Sequence, residues 1–193
     1  MNGLAVALNF AGHLAHYEHN LAEAERLASD LLELSTRHNF AFYLAIGAII
    51  RGWARSASGD TAEGISWIGH GIDDWRATGA MLLVPYYLAL KAEALYLAHR
   101  TPEALEAIRE AEAVVEGSED RSWSAELHRL RGVFLAAVGA DEMQIEASFP
   151  EAIRIAQEQK SVSLEKRAEA TYEEYRRQKA SGAGGRGFRL TLW

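Results

Sequence analysis

The chain has 193 residues, of which 49% are hydrophobic and 24% are charged, a composition typical of a folded protein with an apolar core. Its formal net charge of -7 at pH 7 argues against a nucleic-acid-binding domain, because contacts to phosphates need a basic surface. It contains no cysteine, which excludes disulfides, thiolate nucleophiles and cysteine-based zinc sites.

The N-terminal ten residues lack the basic segment of a signal peptide. The longest apolar run covers residues 40–50, whereas about 20 apolar residues are needed to cross a bilayer. We therefore expect a cytoplasmic protein with no contact to a membrane.

Nine helices are predicted, because helix-forming residues dominate and short connections with polar residues or glycine interrupt them. In chain order they cover residues 3–18, 21–37, 40–57, 61–77, 82–98, 102–115, 121–138, 141–159 and 162–178. Loops this short make consecutive helices antiparallel neighbours. Pro150 lies inside the eighth helix, so we expect a kink or a new start near residues 148–150.

The ends of several helices carry capping signals. Asn20 and Asp60 each precede a glutamate by three positions, which indicates a capping box, and Thr101 is expected to cap the helix that begins at Pro102. Gly59 and Gly139 stand where helices should end.

A 40-residue repeat runs through these helices. Small residues recur at this interval in one register at Gly12, Gly52, Ala92 and Gly132, and in a second at Ala24, Gly64 and Ala104. Small side chains let two helices approach closely, so each repeat is predicted to be a hairpin of helix A followed by helix B. The predicted fold is all-α, a right-handed superhelical solenoid over residues 1–178, followed by a flexible Gly-rich tail over 179–193. The last six residues are expected either to dock apolar side chains on the final helices or to lack a fixed structure.

The segment Gly59-Asp-Thr-Ala-Glu-Gly-Ile65, followed by Gly71 and Ile72, resembles the loop and helix B of a tetratricopeptide repeat. The family's repeat has 34 residues, so these helices should be longer than usual. Longer strings, such as Ile50-Arg-Gly-Trp-Ala54 and Ala125-Glu-Leu-His-Arg-Leu-Arg-Gly132, are similar to one bacterial region. It is the C-terminal helical part of large regulatory proteins that carry a class III adenylate or guanylate cyclase domain and an AAA-type ATPase domain.

This resemblance implies a non-catalytic signalling module that binds a protein or peptide, with a cyclase or ATPase domain as one candidate partner. The chain has no GxxxxGK[ST] motif, and no pair of metal-binding aspartates of a cyclase can be placed in it. We therefore assign no catalytic residue, cofactor or metal. The alternative is a small-molecule sensor like the solenoids of LuxR-type transcriptional activators.

In tetratricopeptide arrays, helix A lines the concave binding groove. Carried over by the 40-residue register, this implies a partner-binding groove formed by Asn9, His13, His16, Tyr17, Ile49, Trp53, Tyr86, Glu93, Tyr96, Glu126 and Arg129. Large rigid side chains provide contact area at low entropic cost, which suits peptide capture. The alternative for Trp53 and Tyr86 is packing in the core or at its rim.

Three further features have a structural and a functional interpretation. Arg51, Lys91 and Arg131 precede the small residues of helix A, and either pair with acidic groups such as Glu63 and Glu103 or extend to solvent. His13, His16 and His19 have a spacing that a metal enzyme could use, but no Asp or Cys completes a ligand set, so surface or groove histidines are preferred. The first helix has apolar residues on most sides, so it is expected to form a homodimer or to pack on a preceding domain.

Overall fold

The structure is a computed structural model that describes residues 2–118 and 121–182, together with Phe188 and Leu192. These residues form nine α-helices and no strand, which confirms the all-α prediction. The helices are α1 (Asn2–Tyr17), α2 (Leu21–His38), α3 (Ala41–Ala57), α4 (Thr61–Ala77), α5 (Val84–Leu97), α6 (Thr101–Glu116), α7 (Ser124–Ala137), α8 (Glu142–Glu158) and α9 (Val162–Ala180). The predicted boundaries agree to within about three residues. Within the described part of the chain, no helix has both the length and the apolar character that crossing a membrane requires.

The chain divides into two compact units, Met1–His99 and Arg100–Trp193. In the first unit α1 packs on α2 and α3, and α3 packs on α4 and α5. In the second unit α7 packs on α6, α8 and α9, and α8 also packs on α9. Each unit thus combines contacts between consecutive helices with contacts between helices two places apart. The Gly-rich tail predicted for residues 179–193 begins later than expected, because α9 continues to Ala180, and residues 183–187, 189–191 and 193 lie outside the described residues.

The closest helix contact in the first unit joins α3 and α4. A Cβ atom on Gly52 would lie 2.6 Å from the main-chain oxygen of Gly64, and one on Gly71 would lie 2.9 Å from the main-chain oxygen of Ala45. Glycine is therefore required for these backbones to touch, as the periodic small residues predicted for this hairpin. Ile46, Ile49, Ile50 and Trp53 are all buried on α3, which forms the centre of this unit.

In the second unit the close contact between α7 and α8 is made by a glycine and an aromatic ring, whereas α3 and α4 meet at two glycines, Gly52 and Gly64. The place of a Cβ on Gly132 of α7 is only 2.7 Å from the ring of Phe149 on α8. Phe149 is fully buried and stacks beside Tyr172 and Tyr175 of α9. Gly132 therefore leaves room on α7 for a buried ring of α8.

Helix α8 runs unbroken through Pro150, so the predicted new start near residues 148–150 is wrong. Pro150 lies on the exposed side of the helix, whereas Ile145 and Phe149 are buried on the other side. Burial of that apolar face holds the helix together across a residue that donates no backbone hydrogen bond.

The capping predictions hold in part. The Asn20 side chain accepts a hydrogen bond from the backbone N–H of Glu23 at 3.2 Å, as predicted. Asp60 makes no side-chain cap and instead accepts from the guanidinium of Arg55 at 3.5 Å, and α6 begins at Thr101 with Arg100 as its cap residue. Gly59 and Gly139 both have positive φ angles at the ends of helices, as their positions predicted.

Candidate functional site

The residues predicted to line a groove differ widely in exposure. Buried side chains make up the larger group, which consists of His16, Ile49, Trp53, Tyr86, Glu93, Glu126 and Arg129. Asn9, His13 and Tyr96 are half-buried, and Tyr17 is 46% exposed. The positions therefore mostly support helix packing, and Trp53 and Tyr86 lie in the core, as their alternative interpretation predicted.

In the first unit these residues form a histidine–aromatic cluster, which we define as His13, His16, Tyr17, Trp53 and Tyr86. The imidazole of His16 meets the indole of Trp53 edge to face, with 4.4 Å between ring centroids. Its Nδ1 shares a 2.8 Å hydrogen bond with the hydroxyl of Tyr86, a residue 70 positions further along the chain. The cluster thereby joins α1, α3 and α5, and Tyr17 extends it to the surface, with its ring 6.1 Å from that of Tyr86.

Burial controls the protonation of this cluster. Desolvation lowers the pKa of His13 below its usual value, although a 2.8 Å hydrogen bond from its Nδ1–H to the main-chain oxygen of Asn9 partly offsets this. Burial also raises the pKa of Tyr86 well above its ordinary value. Burial thus favours the neutral forms of His13 and Tyr86, and the cluster is joined to one acidic group because the indole Nε1 of Trp53 donates to Glu93 at 2.9 Å.

The expectation of solvated histidines is wrong for His16, which is 4% exposed because Trp53 and Tyr86 cover it. His19 lies beside His16, with 6.2 Å between their ring centroids. Across residues 2–118 and 121–182, no three His, Asp or Glu side chains are grouped so that they could hold a metal ion.

The second unit contains a buried ionic cluster, which we define as Glu126, Arg129, Arg167 and Thr171. The guanidinium of Arg129 donates through Nε and Nη2 to the two carboxylate oxygens of Glu126, at 2.9 and 2.7 Å. Arg167 adds a contact from α9 to the same carboxylate at 3.1 Å. The side chains of Arg129 and Glu126 are 1% and 7% exposed, so this ion pair is desolvated. Removing either partner of such a pair is strongly destabilising, because it leaves an uncompensated buried charge.

The ionic cluster also binds main chain. Nη2 of Arg129 donates to the main-chain oxygen of Leu192 at 2.8 Å, and Nη1 donates to the hydroxyl of Thr171 at 3.3 Å. Leu192 is 4% exposed, and the ring of Phe188 lies against Tyr175 of α9 with 4.7 Å between centroids. Of the two outcomes expected for the C-terminal residues, docking on the last helices is therefore the one that Phe188 and Leu192 adopt.

Of the basic residues that precede the periodic small residues, Arg131 pairs with an acidic group of a neighbouring helix, as expected, whereas Arg51 lies over an aromatic ring. The guanidinium of Arg51 lies over the ring of Trp67 at 4.8 Å, and Arg131 pairs with Glu112 at 3.4 Å. Lys91 is half-buried. Glu63 instead approaches Arg55, and Glu103 bonds to Arg100. The contacts of Arg51 and Arg55 join α3 to α4, and that of Arg131 joins α7 to α6.

Sequence reasoning did not identify a cleft of about 410 Å³ in the second unit. Helices α6, α7 and α8 line it with charged side chains, among them Glu112, His128, Arg131, Glu151 and Arg154. A second, more open cavity shares His128, Arg131 and Glu151. Burial lowers the pKa of His128, which opposes protonation despite the carboxylates of Glu112 and Glu151 nearby. Isolated helical periodicity could not reveal this cleft, because three helices must pack before it exists.

Sequence reasoning also missed Thr171 and Tyr175, and the docking expected for the C-terminal residues did not name the partners of Phe188 and Leu192. One signal was available, because Glu126 and Arg167 lie 41 positions apart, close to the repeat interval. The expected dimer or domain contact of α1 stays a prediction; its side chains Leu4, Phe10 and Leu14 are each more than half exposed.

No family model matches the chain. It is similar to an uncharacterized protein of Rhizobium meliloti (strain 1021), with 27% identity over 154 residues. That alignment covers 80% of this chain but only 15% of the relative. The chain thus spans a small part of the length of the protein that it resembles.

Proposed function

We propose that this chain is a non-catalytic, tetratricopeptide-like module that binds an extended polypeptide through the side chains of its A helices. In this assignment α1, α3, α5, α7 and α9 are A helices, and the even-numbered helices are B helices. The polypeptide would come from a protein partner in the cytoplasm.

The spacing of long-range contacts supports a repeat architecture. Trp53 of α3 bonds to Glu93 of α5, 40 residues away, in the first unit. Arg129 of α7 bonds to Thr171 of α9, 42 residues away, in the second unit. In a stack of helical hairpins each repeat touches its neighbours. Residues in contact between alternate helices are then separated in sequence by about one repeat length, as these two pairs are.

The observation that carries the binding function is the hydrogen bond from Arg129 to the main-chain oxygen of Leu192 at 2.8 Å. A main-chain carbonyl is present in every peptide, so this contact recognises polypeptide without regard to side chain. The surrounding side chains select among sequences, because Tyr175 offers a ring and the buried site around Leu192 accepts an apolar residue. The same face therefore binds the main chain of any peptide and selects peptides by their aromatic and apolar side chains.

We further propose that the module regulates a larger protein of the cyclase–ATPase type. The relative supports this because the matched region is 15% of its length, which leaves room for other domains. Titrating the chain into a purified class III cyclase domain tests the idea: saturable binding by calorimetry supports it, and absence of heat at high micromolar concentration contradicts it.

Selection from a displayed random-peptide library tests peptide binding itself. Peptides enriched on the full chain are synthesised and their affinities measured by calorimetry. Tyr17→Ala and Arg167→Gln change partly exposed A-helix positions in the two units, and at least one should weaken each peptide about tenfold. The control is His70→Ala on the exposed side of α4. Peptides that depend on His70 and on neither A-helix residue would contradict the proposal, as would a library with no enrichment.

A small-molecule sensor is the second candidate, and the cleft beside His128 favours it. Its volume of about 410 Å³ falls within the range of ligand pockets, and it presents both carboxylates and guanidinium groups. Such a lining suits a zwitterion. A thermal-shift screen of amino acids, nucleotides and sugars checks this, with His128→Ala as the variant that should abolish any hit.

A further inference from the structure

The C-terminal residues Phe188 and Leu192 contact α7 and α9 through different chemistry. Phe188 is half-buried against Tyr175, whereas Leu192 is buried and its main-chain oxygen accepts from Arg129. Tyr175 lies one helical turn beyond Thr171, and the hydroxyl of Thr171 accepts from the same guanidinium. The two described residues of the tail therefore follow α9 backward, from its last turns toward its middle.

We infer that this face is a docking site for an extended partner segment with an aromatic residue four positions before a leucine, and that Phe188 and Leu192 of the chain occupy its two apolar positions in cis. The inference rests on the proposed peptide-binding function and names the resident peptide of its second unit. A partner segment of the same chemistry binds only when the tail leaves.

Spacing and charge explain the preference. In an extended chain, residues four positions apart project to the same side, so one face of a segment can supply both apolar side chains. The guanidinium of Arg129 is held by Glu126 and Thr171, which aims its Nη2 at an incoming carbonyl. Because these groups are buried, they keep their geometry and contribute little extra cost of ordering when a segment docks.

Tethering makes the tail an effective competitor. Five residues, 183–187, separate Gly182 of the α9 end from Phe188, and four of these five are Gly or Ala. A short tether of this kind gives an effective concentration in the millimolar range. A free peptide must exceed this concentration or bind more tightly, so the unmodified chain should bind the free tail sequence poorly.

The test uses a fluorescein-labelled synthetic peptide of residues 183–193 and the full chain. A release variant, Phe188→Ser with Leu192→Ser, removes both docking side chains. A matched control, Met143→Ser with Val162→Ser, removes two apolar side chains that are 77% and 60% exposed in the same unit. Fluorescence anisotropy should show at least tenfold tighter peptide binding by the release variant than by the unmodified chain or the control. A peptide carrying the same two serines should not bind.

Equal binding of the peptide by all three proteins, or no binding by a folded release variant, overturns the inference. In that second case, library peptides that still bind through Tyr17 of the first unit leave the proposed function intact, so the two failures are distinguishable. Light scattering that shows a dimer lost in the release variant assigns the tail to a second copy and overturns docking in cis. If circular dichroism shows that the double variant is unfolded, Phe188→Ala alone replaces it, with about threefold tighter binding expected.

Discussion

The indole of Trp53 donates a hydrogen bond to the carboxylate of Glu93 at 2.9 Å, and the two residues lie 40 positions apart. Trp53 follows Gly52 and Glu93 follows Ala92, so both occupy the same position of the predicted 40-residue register. The bond thus joins α3 and α5 in the first unit. Both side chains are buried, so this is a buried polar contact between α3 and α5 within an apolar core.

Replacing Trp53 with phenylalanine should lower the free energy of unfolding by about 2–4 kcal/mol, because a buried carboxylate loses a donor and the smaller ring leaves a void. Trp67→Phe is the matched control, since its indole donates to the exposed Glu63 at 3.3 Å. That change should cost less than about 1 kcal/mol. Urea denaturation of both variants checks this. Equal losses of unfolding free energy would show that the buried bond contributes no more to stability than the exposed one.

The contact between α3 and α4 predicts opposite effects for two glycines. Gly52→Ala should destabilise the chain by about 1–3 kcal/mol, because the new methyl group would lie 2.6 Å from the main-chain oxygen of Gly64. Gly69→Ala in α4 meets no atom within 4 Å and should stabilise it by about 0.5–1 kcal/mol through helix propensity. Thermal denaturation of the two variants measures the difference. A stabilising Gly52→Ala would contradict the close approach.

The helices and the α3–α4 contact were predictable because their signals are local or periodic. Proline, glycine and capping residues mark the loops, and the 40-residue interval marks Gly52 and Gly64 as residues of an interface. The new start predicted near residues 148–150 is wrong because a propensity argument weighs Pro150 alone. The burial of Phe149 and Ile145 on the opposite face outweighs it and depends on α7 and α9.

The candidate site was predictable only in part. The register selected Glu126 and Arg129 as groove positions, but it gave no indication that they form a buried ion pair with each other. Leu192 follows a glycine-rich stretch and shares no periodicity with the helices, so its contact with Arg129 depends on chain reversal after α9. Long-range contacts of this kind leave no pattern in a single sequence.

The buried ion pair should be far more important for stability than an exposed pair of the same spacing. Glu126→Gln should cost about 3–5 kcal/mol, because Arg129 loses its charged partner within a desolvated cluster. Glu106→Gln removes the partner of Arg109, also three residues away, but both side chains are more than 60% exposed. That control should change stability within experimental error. Comparable losses for the two substitutions, measured by urea denaturation, would place the Glu126 pair in solvent.

Stability should fall on acidification, partly through His13. Burial lowers its pKa in the folded chain, so the unfolded chain binds the proton more readily below the usual histidine pKa of about 6.5. The stabilising effect of the neutral imidazole is complete above that pH and is lost as pH falls toward the lowered pKa. The slope has an upper bound of about 1.4 kcal/mol per pH unit for one proton.

The free energy of unfolding should therefore drop less between pH 7.5 and pH 5.5 in His13→Gln than in the unmodified chain. His70→Gln, at an exposed position of α4, should keep the original dependence. Burial also lowers the pKa of His128 in the second unit. His128 should therefore add a pH dependence of the same sign, which His13→Gln leaves in place. An unchanged slope in His13→Gln would show that His13 is solvated.

The proline within α8 should be a source of lost stability. Pro150 is exposed, and it lies in the middle of a helix that continues to Glu158. Pro150→Ala restores a backbone donor and sacrifices no buried contact, so the free energy of unfolding should rise by about 1–3 kcal/mol. Pro102→Ala is the control, because Pro102 lies in the first turn of α6, where its missing N–H has no helical partner and its fixed φ restricts the unfolded chain. That control should lower stability slightly or leave it unchanged. If Pro150→Ala gave no gain in thermal or urea denaturation, α8 would accommodate the ring without strain, and the cost assigned to an interior proline would not apply in this helix.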